Sequence, residues 1–259
     1  MPTYRLDLAY DGSGFHGYAR QPDVRTVQGA LEAALEPYTG GVPTHVAGRT
    51  DKGVHAAAQV VSFSCDGIDV PRVGRSLNSQ LGPEIAVFGI EQVADDFHAR
   101  FSATGRAYRY TIRNAPVHDP LTARTEWTVS DPLDAASMHE SVRCLLGEHD
   151  FAAFCRTSGG VPTTRRVDWA GWRRDGDRME MTIGASSFCH QMVRSIVAVS
   201  VDIGRGRLAV GEMETILESQ DRATGRGVAP AKGLTLTAVA YDTPLDRPDW
   251  VHAVDTEAG

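Results

Sequence analysis

With 259 residues, 42% hydrophobic and 23% charged, the chain has the make-up of a globular protein able to bury a real core, as one large domain or two small ones. No apolar run approaches the ~18 residues a membrane span needs, and the opening MPTYRLDLAYDG alternates instead of forming a signal-peptide core. Membrane, collagen-like and disordered classes are set aside, and a cytoplasmic enzyme or binding protein is expected. The net charge of −7 argues against a wholesale nucleic-acid coat, yet residues 105–174 are net positive while 1–104 and 242–259 are net acidic. Of the 26 basic residues only Lys52 and Lys232 are lysines. An arginine bias fits RNA contact, because the guanidinium forks onto phosphates and stacks on bases; it fits a GC-rich genome or a salt-adapted surface equally well. Cys65, Cys144, Cys155 and Cys189 form no CxxC pair, so buried free thiols are expected, not a disulfide framework.

Along the chain, Tyr4, Leu6, Leu8 and Tyr10 alternate as a strand that ends at Asp11-Gly12. Thr26 caps a helix with Val27, Ala30, Leu31, Ala34 and Leu35 on one face. Strands follow near 44–48 and 58–65, then a short helix that begins after Pro71 and ends by Gly82, then a strand from Ile85. Tyr108, Tyr110 and Ile112 open the second half on a strand, and Asp134 caps a helix. Residues 166–185 form a hairpin about Asp175-Gly176-Asp177. Helices over 188–203 and 210–220 precede a last strand from Leu234, and the acidic, Pro-interrupted stretch 242–259 reads as a loose or weakly docked tail. The order β-α-β-β-α-β thus occurs twice. That pattern predicts an α+β protein of two ferredoxin-like halves, 1–104 and 105–241, forming a broad antiparallel sheet with helices on one face and, at the open face and the seam between halves, a cleft for a large ligand.

Several motifs are decoys. Gly12-Ser-Gly14-Phe-His-Gly17 matches GxGxxG, but a dinucleotide loop opens directly into a helix, and here Pro22 intervenes before Thr26. His149-Asp150 lacks the further ligands of a metal-dependent phosphohydrolase, and Cys144, His149 and Cys155 lack zinc spacing, so no metal is expected. The segment GRTDKGVHAA is different: Arg49, Asp51, Lys52 and His55 crowd a glycine-framed turn between apolar strands, where the aspartate either cradles a ligand or satisfies its own turn amides. FHARFSATGRAYRY sets Arg100, Arg106 and Arg109 among aromatics, a pattern suited to phosphate contact with base stacking. SSFCHQMVRSIV spaces His190 and Arg194 one helical turn apart.

Taken together, YDGSGFHGYARQP, TVQGALEAAL, GRTDKGVHA, FHARFSATGRAYRYTI, GEHDFAAFC, SFCHQMVR and APAKGLTL resemble the tRNA pseudouridine synthase A family, in order and over about residues 3–241. Cys189 stands where that family often has an aromatic residue or His, and Ser195 where it has Asn. The resemblance implies that Asp51 is the nucleophile isomerising uridine to pseudouridine, with Arg194 as its partner. It also implies that Arg49 fills the space left by the flipped base and that Tyr108 stacks on the uracil. It implies a homodimer acting on positions 38 to 40 of the tRNA anticodon stem-loop, with no cofactor, no nucleotide and no membrane. The rival reading is a non-catalytic RNA-binding protein on the same scaffold; the RNA-binding signature RGFGFVxF is absent, and that reading leaves the Asp51 turn unexplained.

Overall fold

The alternating tyrosines and leucines of the first segment do form a strand, whose inward side chains are almost wholly buried. A computed structural model describes residues 1–156 and 160–254. In chain order its main elements are β1 (Thr3–Tyr10), α1 (Val27–Thr39), β2 (His45–Val46), β3 (His55–Ser64), α2 (Val70–Leu81), β4 (Ile85–Val93), β5 (Gly105–Arg113), β6 (Trp127–Thr128), α3 (Ala135–Ser141), β7 (Gly147–Asp150), β8 (Thr164–Asp175), β9 (Arg178–Ala185), α4 (Met192–Gly204), α5 (Glu212–Ser219), β10 (Leu234–Ala240) and β11 (His252–Ala253). The result is a mixed α+β protein with mostly antiparallel pairing. It divides into two units, residues 1–104 with 235–244, and residues 105–234 with the chain from 245 onward.

In the first unit β1 is central, antiparallel to both β3 and β4. The far edge of β3 is shared: β10 runs parallel to it at His55 and Ala56, and β2 antiparallel at Val61 and Ser62. Thr26 caps α1 through Gly29 N–H, and Asp69 caps α2 through Arg72 N–H. The apolar stripes Val27, Leu31, Ala34, Leu35 and Val73, Leu77, Leu81 are buried, each large side chain contributing about 1.5–3 kcal/mol. Asn78 clips α2 to β4 by bonding both polar groups of Val87.

In the second unit the strand order is β11-β8-β9-β5, with β7 also on β8 and β6 on β5. The β8–β9 hairpin turns at Gly176, whose φ of +56° suits glycine. Helix α4 is buried on nearly all sides, which explains its run of Val, Ile, Ala and Ser.

Several expectations need correction. The helix expected over 188–203 begins only at Met192, because Gln191 sits at φ +67° and breaks the helical path; His190 therefore lies before the helix, not one turn below Arg194 on its face. The 44–48 strand shortens to two residues. Strands β6, β7 and β11 add to the expected elements; WT, GEHD and HA are too short or irregular to show an alternation. In the stretch after 244, expected to be loose or weakly docked, Leu245 lies on Gly105, Val251 on Gly171, and the Arg173 guanidinium stands 5.1 Å over the Trp250 ring. The last five residues of the expected tail lie outside the described residues. Cys155 and Cys189, expected as free thiols, are joined as a disulfide with Cα atoms 5.8 Å apart, across a separation of 34 residues that no spacing rule would pair. Cys65 and Cys144 are free. Among the described residues no helix is long and apolar enough to cross a membrane.

The packing of β8 on β9 gives a test. A Cβ at Gly184 would fall inside the Trp169 indole, its buried cross-strand partner. Gly184→Ala is expected to lower stability by about 1–3 kcal/mol through overpacking, read as a lower urea midpoint at unchanged slope.

Candidate active site

The Asp51 turn is held from below by side chains that sequence reading did not single out. Gln59 is fully buried in β3. Its Nε2 donates to Gly48 O (2.8 Å) and to Tyr10 Oη (3.1 Å), while its Oε1 accepts from Gly48 N–H (3.4 Å). The Tyr10 and Thr50 hydroxyls share a hydrogen bond of 2.8 Å. Burial pushes the Tyr10 phenol up to about 12, with the Thr50 and Gln59 bonds pulling the other way, so it stays a neutral hydrogen-bonding group. A polar Gln inside AQVVSF, an otherwise apolar strand, is the signal that could have found this network.

The glycine-rich loop after β1 closes over the turn. Tyr18 N–H donates to Thr50 O (3.0 Å), and Gly17, at φ +96°, leaves no room for a side chain between Thr50 O and Lys52 N. Gly53 takes φ +78°, and Val54 N–H donates to Asp51 O (3.1 Å), closing the turn. His55 is buried; Gly12 N–H donates to its Nδ1 (3.1 Å), and the Asp11 carboxylate lies 3.2 Å from the same nitrogen. This histidine fixes the loop. The glycine motif itself leads through Asp11-capped Gly12–Gly14, and α1 starts only at Val27, so no helix N-terminus follows it. Asp51 is half-buried at the lip of this frame; Arg49 and Lys52 beside it are exposed, and Lys52 Nζ donates to His16 Nε2 (3.2 Å). Arg100 belongs to the same unit, on a turn after β4.

The other candidates lie in the second unit. Tyr108 is buried on β5 and meets the Phe188 ring edge-on at 5.0 Å. Tyr110, on the same strand face, is core: its hydroxyl donates to Pro230 O (2.8 Å), and Trp127 packs edge-on against it. Arg106 is buried and donates to Ser186 O (3.0 Å). Arg109 lies 3.8 Å from the buried Glu180, which also holds Arg173 and Arg178. Arg194, in the first turn of α4, is half-buried, and its Nε donates to Ala229 O (2.8 Å). Its charge acts on Tyr110, whose phenol burial pushes far up.

His149 and Asp150 are occupied locally: His149 Nε2 faces Leu146 O (2.7 Å), and Asp150 accepts from Ala152 N–H (3.0 Å) and the Thr163 hydroxyl (2.5 Å). Among the described residues, no group of three or more His, Cys, Asp or Glu is placed to hold a metal ion.

A family model described as tRNA pseudouridine synthase matches residues 8–102 and 142–242, which include the Asp51 turn, Arg100 and Arg194. A protein named tRNA pseudouridine synthase A from Hyphomonas neptunium is 44% identical over 249 residues, covering 93% of this chain and 99% of the relative. Its counterpart from Brevibacillus brevis is 40% identical over 244 residues, covering 93% and 100%. The chain belongs to the tRNA pseudouridine synthase family.

Replacing Gln59 by Leu strips Gly48 O and Tyr10 Oη of their buried donor. An unsatisfied buried group costs about 1–3 kcal/mol, so Gln59→Leu should lose that much stability in denaturant unfolding. A midpoint equal to wild type would show that the amide does not anchor the turn.

Proposed function

We propose that this protein converts uridine in tRNA to pseudouridine, at positions 38 to 40 of the anticodon stem-loop, with Asp51 as nucleophile. The observation that carries the reading is the placement of Asp51: a half-buried carboxylate on a glycine-framed turn, anchored from beneath by Gln59, Tyr10 and Thr50. An aspartate serving only its own turn amides needs no such frame. Membership of the family, matched on both sides of the chain, supports the substrate and the reaction class.

The reaction breaks the bond from ribose C1′ to uracil N1 and makes a bond from C1′ to C5. N1 gains a proton and C5 loses one, so no redox partner and no energy input are needed. Asp51 attacks either the uracil ring or C1′, and the base then turns before rejoining. The target must first leave its stack, at a cost of a few kcal/mol. Arg49, exposed beside the nucleophile, takes the vacated space in this reading, and Tyr108 faces the flipped uracil. Arg194 is the cationic partner of the Asp51 carboxylate in this reading, and its Nε is bound to Ala229 O. Arg100 and Arg109 meet phosphates directly, and Arg106 acts through the 186–191 loop it ties down. The architecture is inferred to be two ferredoxin-like halves, 1–104 and 105–241, with 242–259 as an acidic tail; the strand order β4-β1-β3-β2 of the first unit supports it. The protein is taken to work as a cytoplasmic homodimer.

The test supplies tRNA tritiated at uracil C5 and follows tritium release without added metal or nucleotide. Wild type should release it. Asp51→Asn should release none while retaining tRNA binding, and normal turnover by that variant would remove the mechanism.

Tyr108 separates stacking from proton chemistry. Base–aromatic stacking is worth about 1–3 kcal/mol, so Tyr108→Leu should weaken capture of the flipped base roughly 5- to 150-fold. Tyr108→Phe keeps the ring; if the hydroxyl helps move the C5 proton, this variant binds tRNA normally and stalls after glycosidic cleavage in single-turnover kinetics. Wild-type rates in both variants would make Tyr108 purely structural.

A further inference from the structure

The turn after β4 displays an aromatic ladder that the Asp51 chemistry does not use. Phe101 is 76% exposed, an unusual state for a ring that contributes nothing to the core. It is not loosely held. The His98 ring lies 4.4 Å from it, and the His45 ring lies 4.4 Å from His98 on the other side. The Arg100 guanidinium stands 5.4 Å from the Phe101 centroid. The rings are mutually tilted by 33° and 37°, with His45 and Phe101 exposed and His98 half-buried between them.

The turn that carries His98 and Phe101 is rigid for stated reasons. His98 Nδ1 accepts from both Arg100 N–H (3.1 Å) and Phe101 N–H (3.3 Å), while His98 N–H donates to Ser102 Oγ (3.0 Å). Ala99, fully buried between them, packs with Ala47 and Val60; its N–H donates to Ser62 Oγ (3.0 Å) and its carbonyl accepts from Tyr241 Oη (2.8 Å). The sheet therefore fixes residue 99 inward and aims 100 and 101 outward. Desolvation, then the charge of His45, hold the His98 imidazole below its ordinary value, consistent with its role as an acceptor.

We infer that His45, His98, Arg100 and Phe101 form a docking platform for one unpaired nucleotide of the tRNA substrate, the base stacking on Phe101 and its phosphate meeting Arg100. Every base offers a π-face, so an exposed ring backed by two imidazoles binds without demanding a sequence, and the guanidinium complements the phosphate charge. The platform is close to the nucleophile: His45 precedes Asp51 by six residues, a stretch that spans at most about 20 Å. Phe101 lies two ring spacings of 4.4 Å beyond His45, so at ~3.4 Å per nucleotide along a stacked strand the contacted base lies within roughly nine steps of the target. The occupant is RNA from the same substrate, so the inference rests on the proposed function. His98 acts as a positioning residue, setting the angle of its two neighbours.

The test uses the full chain with Phe101→Ala, Phe101→Trp and Arg100→Gln, each measured by filter binding of labelled tRNA across a salt series and by single-turnover tritium release. Phe101→Ala should weaken binding roughly 5- to 150-fold, keep the maximal rate at saturating enzyme, and leave the thermal midpoint unchanged, since the ring is mostly in water. Phe101→Trp should restore binding. Arg100→Gln should flatten the logarithmic salt slope by about 0.7–0.9, the loss of one phosphate contact, whereas Phe101→Ala should leave the slope alone. Unchanged tRNA affinity in Phe101→Ala overturns the inference. So does a changed oligomeric state by light scattering, which would assign the ring to a second copy of the chain. The binding arm needs no turnover: wild type that binds tRNA but releases no tritium would sink the proposed reaction while leaving the platform to be judged on affinity alone.

Discussion

One buried amide carries the geometry of the nucleophile. Gln59 spends its donors on Gly48 O and Tyr10 Oη and its acceptor on Gly48 N–H, and Tyr10 passes the constraint on to Thr50, the residue before Asp51. In a low-dielectric interior each partner left unpaired would cost the full desolvation of a polar group, so the network is close to all-or-none. It also depends on strand register. Leu8 pairs with Gln59 and Tyr10 with Ala56, with a shift between them that places the Tyr10 hydroxyl within reach of the amide. The turn inherits its position from the pairing of β1 with β3, not from local turn propensity.

A comparable economy governs the second unit. Arg194 accepts Ala229 N–H at its own carbonyl (3.0 Å) and donates from Nε to Ala229 O, so main chain and side chain grip one residue. Tyr110 grips the next carbonyl, that of Pro230. Gly233 follows because any Cβ there would stand 2.6 Å from the Tyr110 ring. The Gly/Pro segment before β10 is thereby held by α4 and β5 together, and the same bond that fixes the segment fixes the direction of the Arg194 guanidinium. On the opposite side of that helix start, Arg106, Arg156 N–H and Cys155 restrain the loop ahead of Met192.

The elements legible in the sequence are those whose pattern reports burial. β1, α1, α2, β5, β8 and β9 follow apolar periodicity closely, and the Thr26 and Asp134 caps mark helix starts by a local hydrogen bond, while the Asp69 cap, which sets the start of α2 at Val70, was not read from the sequence. What could not be read depends on main-chain pairing or a single dihedral: β7 and β11 offer no side-chain period, and the left-handed Gln191 moves a helix start by four residues against good propensity. Candidate residues were readable from motif chemistry, since Asp51, Arg49 and Lys52 crowd one turn. Their support was not, because Gln59 and Tyr10 act from separate strands 49 residues apart. Arg106 shows the same limit. Its place among aromatics reads as surface chemistry, yet the strand turns it inward to a carbonyl.

The outer edge of β8 offers little to other chains. A long strand at a sheet border is a template on which a second molecule can add strands and seed aggregation. Here the border is divided among unlike neighbours. β7 covers residues 164–167, β11 covers Trp169 and Ala170, and the Trp172 N–H donates to His139 Nδ1 on α3 (3.1 Å). Beyond it, Arg173, Arg174 and Asp175 place charge where an incoming strand would have to lie. No stretch of that border presents a continuous row of apolar side chains and open main chain together. The two-residue β11, preceded by Pro248, is too brief to be a template itself, and by docking it leaves Trp169 and Ala170 without open main chain for an incoming strand.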